Sequence, residues 1–194
     1  MKRTVSALAV LCLCAAPATA RAQAGFGIKL GPSYGNVSNG GLLPGGATQR
    51  SGFAGGVGVS LGSPLGIGVE ALYAQRGFVS SSAGVSRKLN YIDVPVYLKV
   101  SLPTPGIAPF AYAGPQASFE MQCDTDGGGS CPNSGRPKTT YAGVIGGGLR
   151  FGSFYGVSLE GRYVYGLTDL KLSTIDNSKS YQSRSFMILA GIGF

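Results

Sequence analysis

The chain has 194 residues, a formal net charge of +8, 12% charged residues and 33 glycines. Soluble domains carry roughly 25% charged residues and about 7% glycine, so this composition argues against an ordinary water-facing surface. Histidine is absent, which removes Ser-His-Asp and Cys-His catalysis, histidine metal sites and histidine-based pH sensing.

Residues 1–22 read as a secretory signal peptide, and residues 23–194 as the exported domain. Lys2 and Arg3 give the positive start, VSALAVLCLCAA the apolar run, and Ala20-Arg21-Ala22 or Ala22-Gln23-Ala24 the small-residue cleavage site. The run is shorter than the ~20 residues of a membrane helix. Cys12 and Cys14 raise the alternative of lipidation, but Leu11 and Leu13 are bulky for that signal. Losing Lys2, Arg3 and Arg21 lowers the net charge from +8 to +5. The remaining positives are scattered and not interleaved with aromatics, which argues against a nucleic-acid partner.

From Gly25 onward, eight alternating segments follow, punctuated by Gly, Pro, Ser and Asn: GFGIKLGPSY, SGFAGGVGVSL, GIGVEALYAQRGF, KLNYIDVPVYLKV, PFAYAGPQASFEM, TTYAGVIGGGLRF, GVSLEGRYVYGL and YQSRSFMILAGIGF. Each is about long enough for the 9–11 residues that cross a bilayer at a tilt. The expected fold is all-β: an eight-stranded antiparallel up-and-down transmembrane barrel, closed between first and last strands.

Charge divides the two faces. One register carries Phe26, Ile28 and Leu30, then Phe53, Val57 and Val59, then Ile67 and Val69, and so on to Phe186, Ile188, Ile192 and Phe194. Lys29, Glu70, Arg76, Asp93, Lys99, Arg150, Glu160 and Arg162 lie on the other. Arg184 shares parity with Phe186 and is expected at the membrane rim. Strand five stays unassigned, because Phe110 and Tyr112 share a face with Gln116 and Glu120, while Ala111, Ala113, Pro115 and Phe119 form the other.

A secreted lipocalin-like barrel would place the apolar register inside, the inverse of a membrane barrel. Three features favour the membrane barrel. The second face is rich in glycine and poor in charge. Connections are long after strands one, three, five and seven and mostly shorter after two, four and six. The chain ends on an aromatic in mid-strand, as a last strand paired to the first allows. That ending, Phe186, Ile188, Ile192 and Phe194, resembles the carboxy-terminal signature by which bacterial assembly machinery takes up outer-membrane barrels.

Four stretches, VEALYAQRGF, LNYIDVPVYLKV, PFAYAGPQASF and SLEGRYVYGLTDL, resemble the PorT-type outer-membrane β-barrel family. The strongest pieces are Gln75-Arg76-Gly77, Tyr91-Ile92-Asp93-Val94-Pro95 with Lys99, and Leu159-Glu160-Gly161-Arg162-Tyr163. The resemblance implies the barrel and the bacterial outer membrane. It also implies a link to protein secretion, the role of the founding members in Bacteroidetes-type bacteria.

The candidate lumen network is Glu70, Arg76, Asp93, Lys99, Arg150, Glu160 and Arg162, with Lys29 of similar character. One reading is a charged constriction for a small polar solute. The other is a set of opposite charges that pair across the lumen and fill it, since buried charges must be paired. In the third long connection, CDTDGGGSC, a Cys123–Cys131 disulfide is expected in the oxidising exported compartment. Asp124 and Asp126 lack the remaining ligands of a calcium loop, and the two cysteines are too few for zinc. No cofactor or metal is expected. The glycine runs GGVGV and GVIGGGL lie inside strands, so a phosphate cradle is ruled out and tight curvature is expected.

The functional expectation is a non-enzymatic module presenting its loops, 36–50, 122–138 and 168–180, to a protein partner, with outer-membrane lipid around it. The alternatives are a narrow channel, a binder of a small polar solute, or an accessory to secretion. A lipid-modifying enzyme lacks a serine with a plausible base.

Overall fold

A computed structural model of the chain describes residues 24–37, 47–80, 85–102, 104–125, 138–152, 156–169 and 182–193. These form eight strands: β1 (Ala24–Val37), β2 (Ala47–Leu61), β3 (Leu65–Ser80), β4 (Val85–Ser101), β5 (Ile107–Thr125), β6 (Thr139–Phe151), β7 (Gly156–Asp169) and β8 (Gln182–Gly193). Each pairs antiparallel with its sequence neighbours, and β1 pairs with β8 to close the barrel. The closing register sets Gly27 opposite Gly193 and Ile28 opposite Ile192. Pairing of β8 with β1 runs as far as Gly193. Phe194 itself lies outside the described residues, as do residues 1–22, expected to be a leader, and Cys131.

The outer wall is the apolar register expected from the sequence. Ile28, Val57, Ile67, Leu98, Ile145, Leu159 and Ile192 are all exposed, as are large outward neighbours such as Phe26, Leu30, Val59, Val69, Val96, Val100, Leu149 and Val157. In water such a surface would drive aggregation; against acyl chains it costs nothing. Strand five resolves in the same scheme. Ala111, Ala113 and Pro115 face out, while Ala108, Phe110, Tyr112, Gln116 and Ser118 face in and are buried. Between Ala108 and Ser118 the larger side chains are spent on the lumen, while Ile107, Phe119 and Met121 are exposed beyond that stretch, which is why apolar content alone could not orient the strand.

At one end of the barrel the connections are short: 62–64, 102–106 and 152–155. Each holds a glycine at positive φ, at Gly62, Gly106 and Gly152, where an L side chain would be strained. Bonds between backbone groups tie this end together, with the Ser101 N–H donating to Pro64 O at 2.7 Å and the Gly152 N–H to Gly106 O at 3.1 Å. Outer-membrane barrels place their short turns in the periplasm.

At the other end the strands run further than the sequence reading allowed. β5 has 19 residues, roughly 45–50 Å along the barrel axis at ordinary rise and tilt, against an apolar band of about 25 Å. Antiparallel pairing simply continues beyond the membrane, where the alternation that marks a lipid-facing strand no longer applies. The expected loops shrink accordingly: 36–37 belong to β1, 47–50 to β2, 122–125 to β5 and 168–169 to β7. The remaining segments, 38–46, 126–137 and 170–181, lie outside the described residues. The connection after strand three, expected to be long, spans only Ser80 to Val85.

Candidate functional site

The inward register is not uniformly polar. Leu72, Val144, Val164, Met187 and Leu189 are buried inside the barrel beside the ionic groups. An eight-stranded barrel is just wide enough for side chains to fill, and this one fills with both kinds.

The central polar cluster draws on five strands. Lys29 of β1 donates from Nζ to Glu70 Oε1 and to Glu160 Oε2, both at 2.7 Å. Arg162 of β7 donates from Nη2 to Glu70 Oε2 and, at 3.0 Å, to Glu160 Oε1. Two tyrosines complete the set: Tyr97 Oη donates to Glu70 Oε1 at 2.6 Å, and Tyr112 Oη to Glu160 Oε1 at 2.9 Å. Tyr112 Oη in turn accepts from Arg162 Nε at 2.8 Å. All four carboxylate oxygens are thereby used, two cations meet two anions, and the cluster is neutral. Pairing of every carboxylate oxygen is what lets these charges persist away from water, although Arg162 Nη1 is buried with no partner among the described residues. Arg162 is 1% exposed and Glu160 2%. β3 and β7 are four strands apart in the ring of eight, so the Arg162–Glu70 bond runs across the lumen.

Sequence reasoning named Glu70, Glu160 and Arg162 but missed the tyrosines. Their rings pack in a tilted arrangement with centroids 4.6 Å apart at 36°, and the Arg162 guanidinium lies 5.3 Å from the Tyr112 centroid. The signal that could have found them is glycine. Gly68 stands directly opposite Tyr97 and Gly146 opposite Tyr112. A Cβ on Gly68 would sit 2.3 Å from the Tyr97 ring, and one on Gly146 2.4 Å from the Tyr112 hydroxyl. Lys29 lies between Gly56 and Gly191, Glu70 beside Gly58 and Glu160 beside Gly148. The inward glycines make the room that the large polar side chains occupy.

The other expected network members separate. Arg76 and Asp93 form their own buried ion pair on β3 and β4, with the Arg76 guanidinium 5.4 Å from the Tyr91 ring centroid. Among the described residues no bond joins this pair to the central cluster. Lys99 and Arg150 face the lumen at the short-turn end and meet no carboxylate among the described residues; Lys99 Nζ lies 4.6 Å from the Phe110 ring centroid. They were expected inside one network with the acids. They stand apart because each sits at the end of its strand, with Ser101 and Gly152 close behind, and the acids lie deeper. Arg184 stacks on Tyr165 across the β7–β8 pair at 4.8 Å. Cys123 is buried with Leu89 and Tyr91 at the far end of β5. Phe186, Ile188 and Ile192 are exposed on the outer wall.

No curated protein matches the chain. Among solved structures the fold is similar to Neisserial surface protein A, with a TM-score of 0.54 and 16% identity over 88% of this chain and 95% of that one. It is also similar to the E. coli outer membrane protein W, with a TM-score of 0.52 and 14% identity over 90% of this chain and 100% of that one. These identities speak for the architecture alone. The family profile described as "Outer membrane protein beta-barrel domain" matches residues 17–172, which take in β1 to β7. With most of the chain inside that match, the protein belongs to the outer membrane protein β-barrel domain family, and its exposed apolar wall is the lipid-facing belt of a bacterial outer-membrane barrel.

Proposed function

We propose that this barrel is a non-enzymatic structural or interaction module whose lumen is closed and whose working surface is the rim opposite the short turns. The observation that carries this reading is the neutral cluster of Lys29, Glu70, Tyr97, Tyr112, Glu160 and Arg162, bonded from wall to wall. A conducting path would have to break several charge-assisted bonds at once. The chain has no histidine, the commonest general base, and the lumen carboxylates Glu70, Asp93 and Glu160 are each held in ion pairs, which supports a role without catalysis.

Several finer assignments belong to the same proposal. Residues 1–22 direct export, and the ending Phe186, Ile188, Ile192 and Phe194 engages the barrel assembly machinery. A Cys123–Cys131 disulfide staples the connection between β5 and β6. The segments 38–46, 126–137 and 170–181 meet a protein partner. The PorT-type resemblance of Gln75-Arg76-Gly77, Tyr91–Pro95 and Leu159–Tyr163 supports an accessory place in secretion.

Planar-bilayer recording tests the closed lumen. The wild-type barrel is expected to give no reproducible openings, and Arg76→Ala to give none either. Ion-selective openings in the wild type, altered by Arg76→Ala, would replace this reading with a channel. Crosslinking from positions in the three segments, in native membranes, is expected to capture a protein; recovery of lipid alone would remove the interaction role.

A further inference from the structure

We infer that the short-turn end of the lumen is a binding vestibule for a doubly charged oxyanion of the phosphate class. The first argument is charge. Lys29 and Arg162 are matched by Glu70 and Glu160, and Arg76 by Asp93. Among the described lumen charges Lys99 and Arg150 are the surplus, and both line one cavity of about 130 Å³ at the same end. Two cations that share a cavity with low-dielectric walls repel one another and focus a positive potential into it. A dianion cancels both.

The second argument is placement. A lysine at an open mouth ordinarily extends its ammonium into water. Lys99 instead lies on the inward register, half-buried, with its ammonium over the Phe110 ring and inside the cavity wall. Ser60, Ser101 and Ser158 line the same space on inward positions and supply hydroxyl donors. A guanidinium fork, an ammonium and hydroxyls together suit a tetrahedral oxyanion better than a planar carboxylate, which one arginine would satisfy alone. The volume is adequate for such an anion with water, since each water takes about 30 Å³. Lys29 and Glu70 form the inner floor. Their bonds into the neutral cluster stop the anion from going further, so the site binds and does not conduct.

The anion reaches this end from the periplasm, either free or as the terminal phosphomonoester of a larger molecule. The test uses the full chain extracted into uncharged maltoside micelles, titrated with inorganic phosphate at constant ionic strength and followed by amide NMR. Saturable shifts are expected at Gly25, Gly27, Gly58 and Gly191, all on the cavity wall. Lys99→Gln and Arg150→Gln should each weaken binding by about tenfold or more, the loss expected for one charge-assisted bond. The double variant should abolish it, and Lys99→Arg should retain it. Arg184→Gln, at the opposite end, should titrate as the wild type. Heat-dependent gel mobility confirms that each variant is folded. Chloride giving the same shifts as phosphate, a response that never saturates, or a double variant that still binds would each overturn the inference. Glycerol 3-phosphate binding as tightly as phosphate would support the site and favour a phosphomonoester. Its exclusion while phosphate still binds would support the site and favour the free anion.

Discussion

Replacing Arg162 with methionine tests the central cluster most directly. Arg162 is buried and supplies one bond to Glu70, one to Glu160 and one to Tyr112. Methionine keeps much of the volume, so the cavity contribution is small and the loss is electrostatic. Breaking a buried pair from one side typically costs 3–5 kcal/mol, because the abandoned charge remains in the interior. Here Lys29 still reaches both carboxylates at 2.7 Å, so one unit of negative charge is left uncompensated and not two. The expected cost is about 3 kcal/mol.

The companion variant separates charge balance from simple damage. Glu160→Gln alone leaves the cluster with one excess positive charge and should cost about 2–3 kcal/mol. Arg162→Met with Glu160→Gln leaves Lys29 facing Glu70 and restores neutrality. It should cost no more than about 2 kcal/mol, a coupling of about 3 kcal/mol between the two sites. Urea titration of the barrel in micelles or vesicles measures this. The chain has no tryptophan, so circular dichroism and heat-dependent gel mobility report unfolding. Additivity within about 0.5 kcal/mol, or a single-variant cost below about 1 kcal/mol, would mean that water reaches these charges and that the lumen is open.

Gly146→Ala places a Cβ 2.4 Å from the Tyr112 hydroxyl and should cost about 1–3 kcal/mol by urea titration. Gly143→Ala, which meets nothing within 4 Å, should stay within about 0.5 kcal/mol; equal effects would sink the socket explanation. Ile145→Arg sits six positions from Phe151, roughly 15 Å up the outer wall, and should cost about 2–4 kcal/mol in a bilayer. A neutral outcome there would mean that lipid does not face Ile145. For the disulfide, non-reducing mass spectrometry should find the peptides of Cys123 and Cys131 joined, and reduction should part them. Maleimide labelling of either cysteine in the native protein would rule the bridge out.

The outer wall was legible because lipid makes a single demand of it. Every second residue must be apolar, so Phe26, Ile28 and Leu30 announce β1 and Val96, Leu98 and Val100 announce β4 without reference to any partner strand. The lumen makes no such uniform demand. Met187 and Leu189 point inward as readily as Glu160 and Arg162 do, because filling space and satisfying polar groups are separate requirements. Strand five was illegible for the same reason: Tyr112 belongs with the ionic cluster by its hydroxyl and with the apolar filling by its ring. Register decided which acids met which bases. One-dimensional spacing put Lys99 and Asp93 in the same motif, yet only Asp93 lies within reach of an opposite charge. The strand ends beyond the membrane were missed because pairing there is driven by backbone bonds, which leave no mark on side-chain alternation.

The abundance of glycine follows from the same division of labour. A closed eight-stranded ring has little interior volume, and it is crossed here by two tyrosines, two glutamates, a lysine and an arginine at nearly one level. Each of those side chains faces a glycine on a neighbouring strand: Lys29 at Gly56, Glu70 at Gly58, Tyr97 at Gly68, Tyr112 and Arg162 at Gly146, Glu160 at Gly148. Substituting alanines would fill the ring with small methyl groups and exclude the long polar chains. Omitting the polar chains would leave the glycine backbone lining an open tube. The two features are therefore one device, in which bare backbone on one strand lets its neighbour reach across the lumen. It ends abruptly at the short turns, where Lys99 and Arg150 have glycines and serines around them but no acid to meet, and the cavity opens there.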